Sequence, residues 1–478
     1  MRSQRLALSL SMMAVVSACA IGPRYERPKV ELPKAFKEIW SQATPMDDVP
    51  KGDWWSLYND TTLNALEARA AKANNTLLAA QATYDASHAL LVQAGLALLP
   101  TATVNASNSR ARSSPAGVTP GTNVIASTYT TDRLTASSSW EVDLWGQVRQ
   151  GLYETHATVQ SARYTLQNAQ LSLQATLAQT YIQLAQNDQQ RALLRTTLTA
   201  YQRSLDITEN RYKAGVAQRT DVTQAQSQLA NTQAQLADLN ITRSQLEHAI
   251  AVLVGELPEN FSLPERVSMP TLPALPQAVP STVLQRRPDI AASERKVAAA
   301  NYAIGVAITA FFPTITLTGT SGYQANAWQN LQSAPHKLWS LGPQAAFSLL
   351  DSGTHEANLL SARANYRGAV ANYRQTVLSA FQDVEDQLVA LSGLSAELSA
   401  DEQAAQASTE TLTATNNQYR AGTVSYLNVV VAESTQLSAQ TARITAQSRL
   451  LQAHVAFIKA LGGGLVAPGP EASTPAHQ

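Results

Sequence analysis

The chain has 478 residues, and its 35 basic and 35 acidic side chains cancel to a formal charge of zero. Charged residues make up 15% of it, against roughly 25% in ordinary soluble domains, and no long Lys/Arg run supplies the concentrated positive face that a nucleic-acid partner requires. A single cysteine excludes an intrachain disulfide framework and a cysteine zinc cluster; beyond the first twenty residues, no apolar run approaches the roughly 20 residues of a membrane-spanning helix, so a helical multi-pass membrane protein is excluded.

Arg2 and Arg5 precede an apolar stretch over residues 6–16 and then Ser17-Ala18-Cys19, which has the shape of a secretory signal with small residues before the cut. The segment resembles the bacterial lipobox, which implies that Cys19 becomes the first mature residue and carries acyl chains; the alternative is a signal peptide that happens to hold a buried free cysteine. Each buried methylene contributes roughly 0.8 kcal/mol, so several chains make a firm anchor. Ala20 stands where, by the lipoprotein sorting rule, an aspartate would retain the protein on the inner membrane. The address therefore points to the outer membrane.

Further along, apolar and small polar residues alternate with period two. Pro100, Ala102, Val104 and Ala106 oppose Thr101, Thr103, Asn105 and Ser107; from 134 to 144, Leu134, Ala136, Trp140, Val142 and Leu144 oppose Thr135, Ser137, Ser139, Glu141 and Asp143. The scheme returns with Ile315, Leu317 and Tyr323 against Thr314, Thr316 and Thr318, and more weakly from Trp339 to Leu349. Each segment is about ten residues, the length of a tilted transmembrane strand, and Trp and Tyr near the ends suit an interfacial belt. A soluble half-buried sheet alternates in the same way; the anchor and the Ser/Thr face with few charges favour the membrane. Four strands cannot close a barrel, because small barrels begin at about eight, and lipid cannot satisfy an open edge. Other copies must complete it: two would give eight strands and three would give twelve.

Between Gly151 and Gly215 lie 63 residues with neither Gly nor Pro, and a helix of that length would extend about 95 Å. Its companion carries a heptad stripe through Val222, Ala225, Leu229, Thr232, Leu236, Leu239, Arg243, Leu246, Ile250 and Leu253. The corresponding stripe near the C-terminus runs through Leu427, Val430, Ser434, Leu437, Thr441, Ile444, Ser448, Leu451, Val455 and Ile458. Such stripes make coiled-coil seams; taken alone, they favour a long two-stranded coiled coil without a pore. Small and polar seam residues predict close helix approach on several faces.

These elements occur twice. Pro100 and its neighbours return 213 residues later around Pro313, whereas the stretch ending at Gly146 and the turn at Gly215 return after 207 residues at Gly353 and Gly422. The drop of six puts a length difference between two strands, where loops absorb it. Seven prolines from Pro258 to Pro288 separate the copies, a density that predicts an extended connector. The expected organisation is a signal peptide over 1–18, a lipidated extended segment over 19–59, repeats over 60–257 and 285–464 joined by a connector over 258–284, and a flexible tail over 465–478.

Residues 21–28 (IGPRYERP), the WWSLYNDTTLNAL stretch from Trp54, QRRPDIAASERK from Gln285, and the turns YKAGVAQRTDV and YRAGTVSYLNV resemble the outer membrane efflux protein family, in particular its NodT-type, TolC-like lipoprotein branch. The resemblance covers nearly the whole mature chain. It implies a mixed α and β membrane protein: a homotrimer with a 12-stranded outer-membrane β-barrel, four strands per chain, continued by a long periplasmic α-helical coiled-coil barrel. It implies an exit duct without cofactors that passively conducts small molecules such as drugs. Its partners would be a periplasmic adaptor, an inner-membrane transporter of RND type, and outer membrane lipid. Type I protein secretion is the alternative duct function, and a non-pore structural lipoprotein is the alternative without one.

Gly215 and Gly422 follow helices where a left-handed residue ends them at least cost. Thr220 and Ser425 are expected as N-caps of the returning helices. By family analogy the tips dock the adaptor, which singles out Gly215, Val216, Thr220, Gly422, Thr423 and Ser425; the glycines would also serve merely to reverse the chain. Some relatives carry an aspartate and, three residues on, an arginine at the periplasmic constriction, where this chain has Val431 and Ser434 beside Glu433. The expected gate is therefore apolar, built by Leu427, Val430 and Val431, with any cation-binding ring weakened or moved to Glu433. An enzyme finds little support: the seven histidines (His88, His156, His248, His336, His355, His454, His477) show no metal spacing and read as ordinary solvated side chains, and no GxSxG, P-loop or GxGxxG pattern occurs.

Overall fold

The computed structural model describes residues 21–28, 53–112, 127–266, 268–273 and 287–463. Cys19, the tail over 465–478, and residues 267 and 274–284 of the connector lie outside them. Two compact units emerge: residues 1–29, 84–162 and 293–373 form one, and residues 30–83, 163–292 and 374–478 form the other. In chain order the main elements are α1 (Thr61–Ala73), α2 (Asn75–Leu96), β1 (Thr101–Arg112), β2 (Thr128–Glu141), α3 (Gln147–Lys213), α4 (Arg219–Leu253), α5 (Pro288–Thr309), β3 (Thr314–Ala325), β4 (Lys337–Ala346), α6 (Thr354–Arg420) and α7 (Tyr426–Ala460). The repeat is exact in helix length: α2 and α5 have 22 residues each, α3 and α6 have 67, and α4 and α7 have 35.

The first unit holds one antiparallel sheet in the order β1-β2-β3-β4. Its register sorts the side chains by face. Val104 pairs with Ala136, Ala136 with Ser321, and Ser321 with Trp339; Trp140 pairs with Leu317 and Gly319 with Leu341. On the opposite face, Thr103, Ser137, Thr320 and Ser340 make one continuous row, because paired antiparallel residues share a side. Val104, Trp339 and Leu341 are each more than 70% exposed, so the apolar face has no cover among the described residues.

Two strands stop earlier than the alternation predicts: β2 ends at Glu141 and β4 at Ala346, short of Leu144 and Leu349. The reason lies in the next helices. Asp143 leaves the sheet to accept hydrogen bonds from the Val148 and Arg149 amides at 3.1 and 3.0 Å, and Asp351 does the same for Gly353 and His355 at 3.0 and 2.7 Å. These carboxylates satisfy the orphan donors that open α3 and α6. Just beyond β2, Trp145 stacks on Phe312 at 5.0 Å and donates to the Pro313 carbonyl at 2.8 Å.

The second unit has its core where Trp54, Tyr58 and α1 meet the middle of α3 and the ends of α4 and α7. The WWSLYND stretch is thus core and cap together. Asp60 caps α1 through the Thr62 and Leu63 amides and also accepts from Tyr181 Oη at 3.0 Å. Tyr58 Oη lies 2.8 Å from His454 Nδ1; His454 is 1% exposed, which corrects its expected place in solvent. The described part of the proline-rich connector does more than span. It opens with a 3₁₀ turn over Pro258–Asn260 and buries Phe261 and Met269 in this core. Arg243 Nη2 donates to the Leu263 carbonyl at 2.7 Å while its Nε donates to Asp188 at 2.8 Å, which explains an arginine in the seam of α4. Every α4 stripe position is buried or half-buried, whereas Leu427 and Ser434 of the α7 stripe are exposed.

Candidate functional site

Both hairpin turns of the second unit are built alike. After α3, Gly215 takes φ of 75°, its amide donates to the Tyr212 carbonyl, and the Val216 amide donates to the Arg211 carbonyl, both at 2.9 Å. After α6, Gly422 takes φ of 77°, its amide donates to Tyr419 and that of Thr423 to Gln418, both at 3.0 Å. This is the Schellman pattern, which uses a left-handed residue to satisfy the last carbonyls. Nothing stands within 4 Å of a Cβ added at either glycine, so backbone conformation, not space, demands glycine here.

The returning helices start differently. Ser425 occupies the N-cap of α7 in extended conformation without a side-chain cap bond. Thr220 is not a cap: Gln218 holds that position and Thr220 lies in the first turn of α4. The Asp221 carboxylate accepts the Gln218 amide at 3.2 Å, as the third residue of a capping box does. Glutamine is not among the preferred cap residues, which hid the start from sequence reasoning. Gly215, Val216, Thr220, Gly422, Thr423 and Ser425 are exposed or half-buried, a patch with one apolar side chain and no charge.

Behind the turns the two hairpins hold each other through a cluster that the sequence reading did not foresee. The Arg211 guanidinium lies 4.6 Å from the Tyr419 ring centre and donates to the Tyr419 carbonyl at 3.4 Å. Tyr419 and Tyr426 are 5.6 Å apart, centre to centre. Ser204 Oγ and Tyr426 Oη are 3.2 Å apart, and Gln228 donates to Tyr201 Oη at 3.1 Å. Leu205, Ala225, Val429 and Val430 complete the cluster. Burial pushes the Tyr426 hydroxyl up to about 12. The only sequence signal was the recurrence of Tyr at the end of each long helix.

The expected gate residues fall on two faces of α7. Leu427 and Val431 are 60% and 57% exposed, one helical turn apart on the side that also shows Ser434. Val430 and Glu433 are 6% exposed and point into the chain's own helices. Glu433 therefore offers no carboxylate to the exposed face, and a cation ring there has no donor from it.

In the first unit, residues 21–28 form a strap. The Ile21 amide donates to the Trp145 carbonyl at 3.1 Å, Asn301 donates to the Pro23 carbonyl at 3.1 Å, and the Tyr25 hydroxyl bonds Glu294 of α5. Arg295 lies 5.7 Å from the Tyr25 ring centre. In the second unit, Arg287 reaches Asp289, Asp383 of α6 and the Ala460 carbonyl at 2.8–3.3 Å. The QRRPDI stretch is thus a structural knot.

The sequence model described as Outer membrane efflux protein matches residues 66–256 and 279–463. The chain belongs to the outer membrane efflux protein family. It is similar to Nodulation protein T of Rhizobium leguminosarum bv. viciae, with 29% identity over 98% of this chain and 95% of that protein. It is also similar to a toluene efflux pump outer membrane protein, TtgC of Pseudomonas putida, at 29% identity over 96% of this chain and 95% of that protein. Among solved structures the outer-membrane channel OprN superposes with a TM-score of 0.84 at 31% identity, covering 93% of this chain and 99% of that one. The family membership and this likeness make the protein an outer membrane channel of the tripartite efflux type. Its fold is that of trimeric channels in which each chain supplies four strands of a twelve-stranded barrel and two helical repeats. Members of the family are efflux channels.

Proposed function

We propose that this efflux channel is anchored by acylated Cys19, docks a periplasmic adaptor on its hairpin turns, and passes small apolar compounds delivered by an RND-type transporter. The observation that carries docking is the identity of the two turns: helices of 67 and 35 residues flank both, with the same Schellman geometry at each. Matched lengths set the two turns at equivalent places along their helices, so three chains offer six nearly equivalent sites. A partner with repeated hairpins of its own can engage such a ring, and exposed Val216 gives it an apolar contact.

Lipidation is supported by the strap. Ile21, two residues from Cys19, is hydrogen-bonded beside Trp145, Phe312 and the strand ends, and aromatic residues at strand ends mark a membrane interface. Leu427 and Val431, exposed on one face of α7, close the periplasmic end by apolar contact between chains. The apolar cargo follows the role named for the toluene efflux relative, and the Ser/Thr face of the sheet carries few charges, with Arg133 and Glu141 among its small polar residues.

Single-cysteine variants Val216→Cys and Thr423→Cys, expressed with the cognate adaptor and transporter, test docking. Both are expected to crosslink to the adaptor in cells that still expel a dye. Active efflux with no adaptor crosslink from either position would reject this assignment of the turns.

A further inference from the structure

Glu433 is a carboxyl in the wrong surroundings for a charge. It is 6% exposed, its Oε2 has no hydrogen-bond partner among the described residues, and it sits two turns into α7, close behind the Tyr419–Tyr426 cluster. The groups that face it are neutral. Tyr201 comes from α3 and Tyr426 from its own helix; each senses its charge. Tyr419 of α6 touches Tyr426, and α4 contributes Gln228 to Tyr201. The cation of this cluster, Arg211, is engaged with Tyr419. A buried ionised carboxylate without a partner is costly, so the packing favours the protonated form.

We propose that Glu433 is a proton-operated latch: protonated, it lets α7 pack against α3, and ionised, it drives the α6–α7 hairpin off that packing and so opens the exposed Leu427/Val431 face. The location supports this. Glu433 follows Val431 by two residues, so the charge appears on the inner side of the helix whose outer side carries the gate. Burial pushes the Glu433 carboxyl up to about 7, so the latch would act near neutrality. The sign follows from linkage. The packed state holds the proton between the ordinary carboxyl value of 4.5 and about 7, so packing is fully favoured below 4.5 and loses its advantage as pH rises to about 7. The whole change is on the order of a hundredfold in the packed-to-unpacked ratio.

The latch rests on the gate assignment above only for its effect on conduction, and two measurements separate the two claims. Hydrogen exchange of the full-length channel in detergent, corrected for intrinsic rate, is expected to show residues 426–434 losing protection by a factor of about a hundred between pH 5 and pH 8. Glu433→Gln should hold it at the pH 5 level throughout. Equal protection at both pH values in the wild type, or an unchanged pH response in Glu433→Gln, would overturn the latch. If Glu433→Gln does not assemble, the wild-type exchange decides alone. Conductance in planar bilayers is expected to rise over the same pH range; pH-dependent exchange with flat conductance would uphold the latch and remove Leu427 and Val431 as the gate.

Discussion

Glu67 and His454 lie in the core of the second unit at 1% exposure each, and they tie stability to pH in opposite senses. Burial, and then the Asp53 charge, push the Glu67 carboxyl up to about 9. The folded chain therefore keeps a proton that the unfolded chain releases, so this stability is complete below 4.5 and declines as pH rises to 9. Burial lowers His454 to about 4; the unfolded chain takes up a proton first, and stability falls as pH drops from 6.5 towards 4. Neither Glu67 oxygen finds a partner among the described residues. Glu67→Leu should therefore stabilise the purified oligomer by about 2–3 kcal/mol at pH 8 and lose that advantage at pH 4. Thermal unfolding at the two pH values checks this, and equal shifts at both would contradict it. Sequence reasoning could not see either residue as buried, because one polar letter within an Ala- and Leu-rich helix looks the same on either face.

At the scale of elements, the connector behaves as part of the fold. Asp188 binds Arg191, Arg243 and the Arg266 amide, Glu265 binds Arg191 and Arg195 at 2.7 Å, and Glu247 accepts from Arg243. Half-buried networks of this kind are costly to break from one side, because a charge is left without its partner. Arg243→Ala should cost about 3 kcal/mol and free residues 261–266; the check is trypsin cleavage after Arg266, expected to be faster in the variant while the oligomer stays intact. Unchanged cleavage would show that the apolar anchors Phe261 and Met269 suffice. Proline density pointed to an extended path and gave no sign of this attachment or of the 3₁₀ turn over Pro258–Asn260. The heptad stripe of α4 was legible because a period near 3.5 requires a buried seam. That of α7 was only partly so, since Leu427 and Ser434 are turned outward by the packing of the tyrosine cluster.

For the whole molecule, the two faces of the sheet decide where the protein can live. Among the described residues Val104, Trp339 and Leu341 have no cover and the edges β1 and β4 have no partner strand; lipid and neighbouring copies supply both. Leu341→Arg should therefore destabilise the barrel by about 2–4 kcal/mol if the position lies near mid-bilayer. Thr320→Arg, on the opposite face, should leave assembly intact and alter conductance. The heat-resistant oligomer recovered from outer membranes reads the first effect and single-channel recording the second. Loss of the oligomer in Thr320→Arg and not in Leu341→Arg would invert the assignment of faces.

The amino-acid order by itself determined the repeat, the four strands, the long helices and the glycine turns, because each depends on a local rule: alternation, helical period, or the need for a left-handed residue. It also determined that one chain cannot be complete, since four strands leave edges that lipid cannot satisfy. Only the tertiary structure decided which letters face one another. It turned Glu433 inward and Val431 outward, moved the start of α4 from Thr220 to Gln218, and placed His454 in the core. Those outcomes depend on packing between segments up to several hundred residues apart, and no local period encodes that.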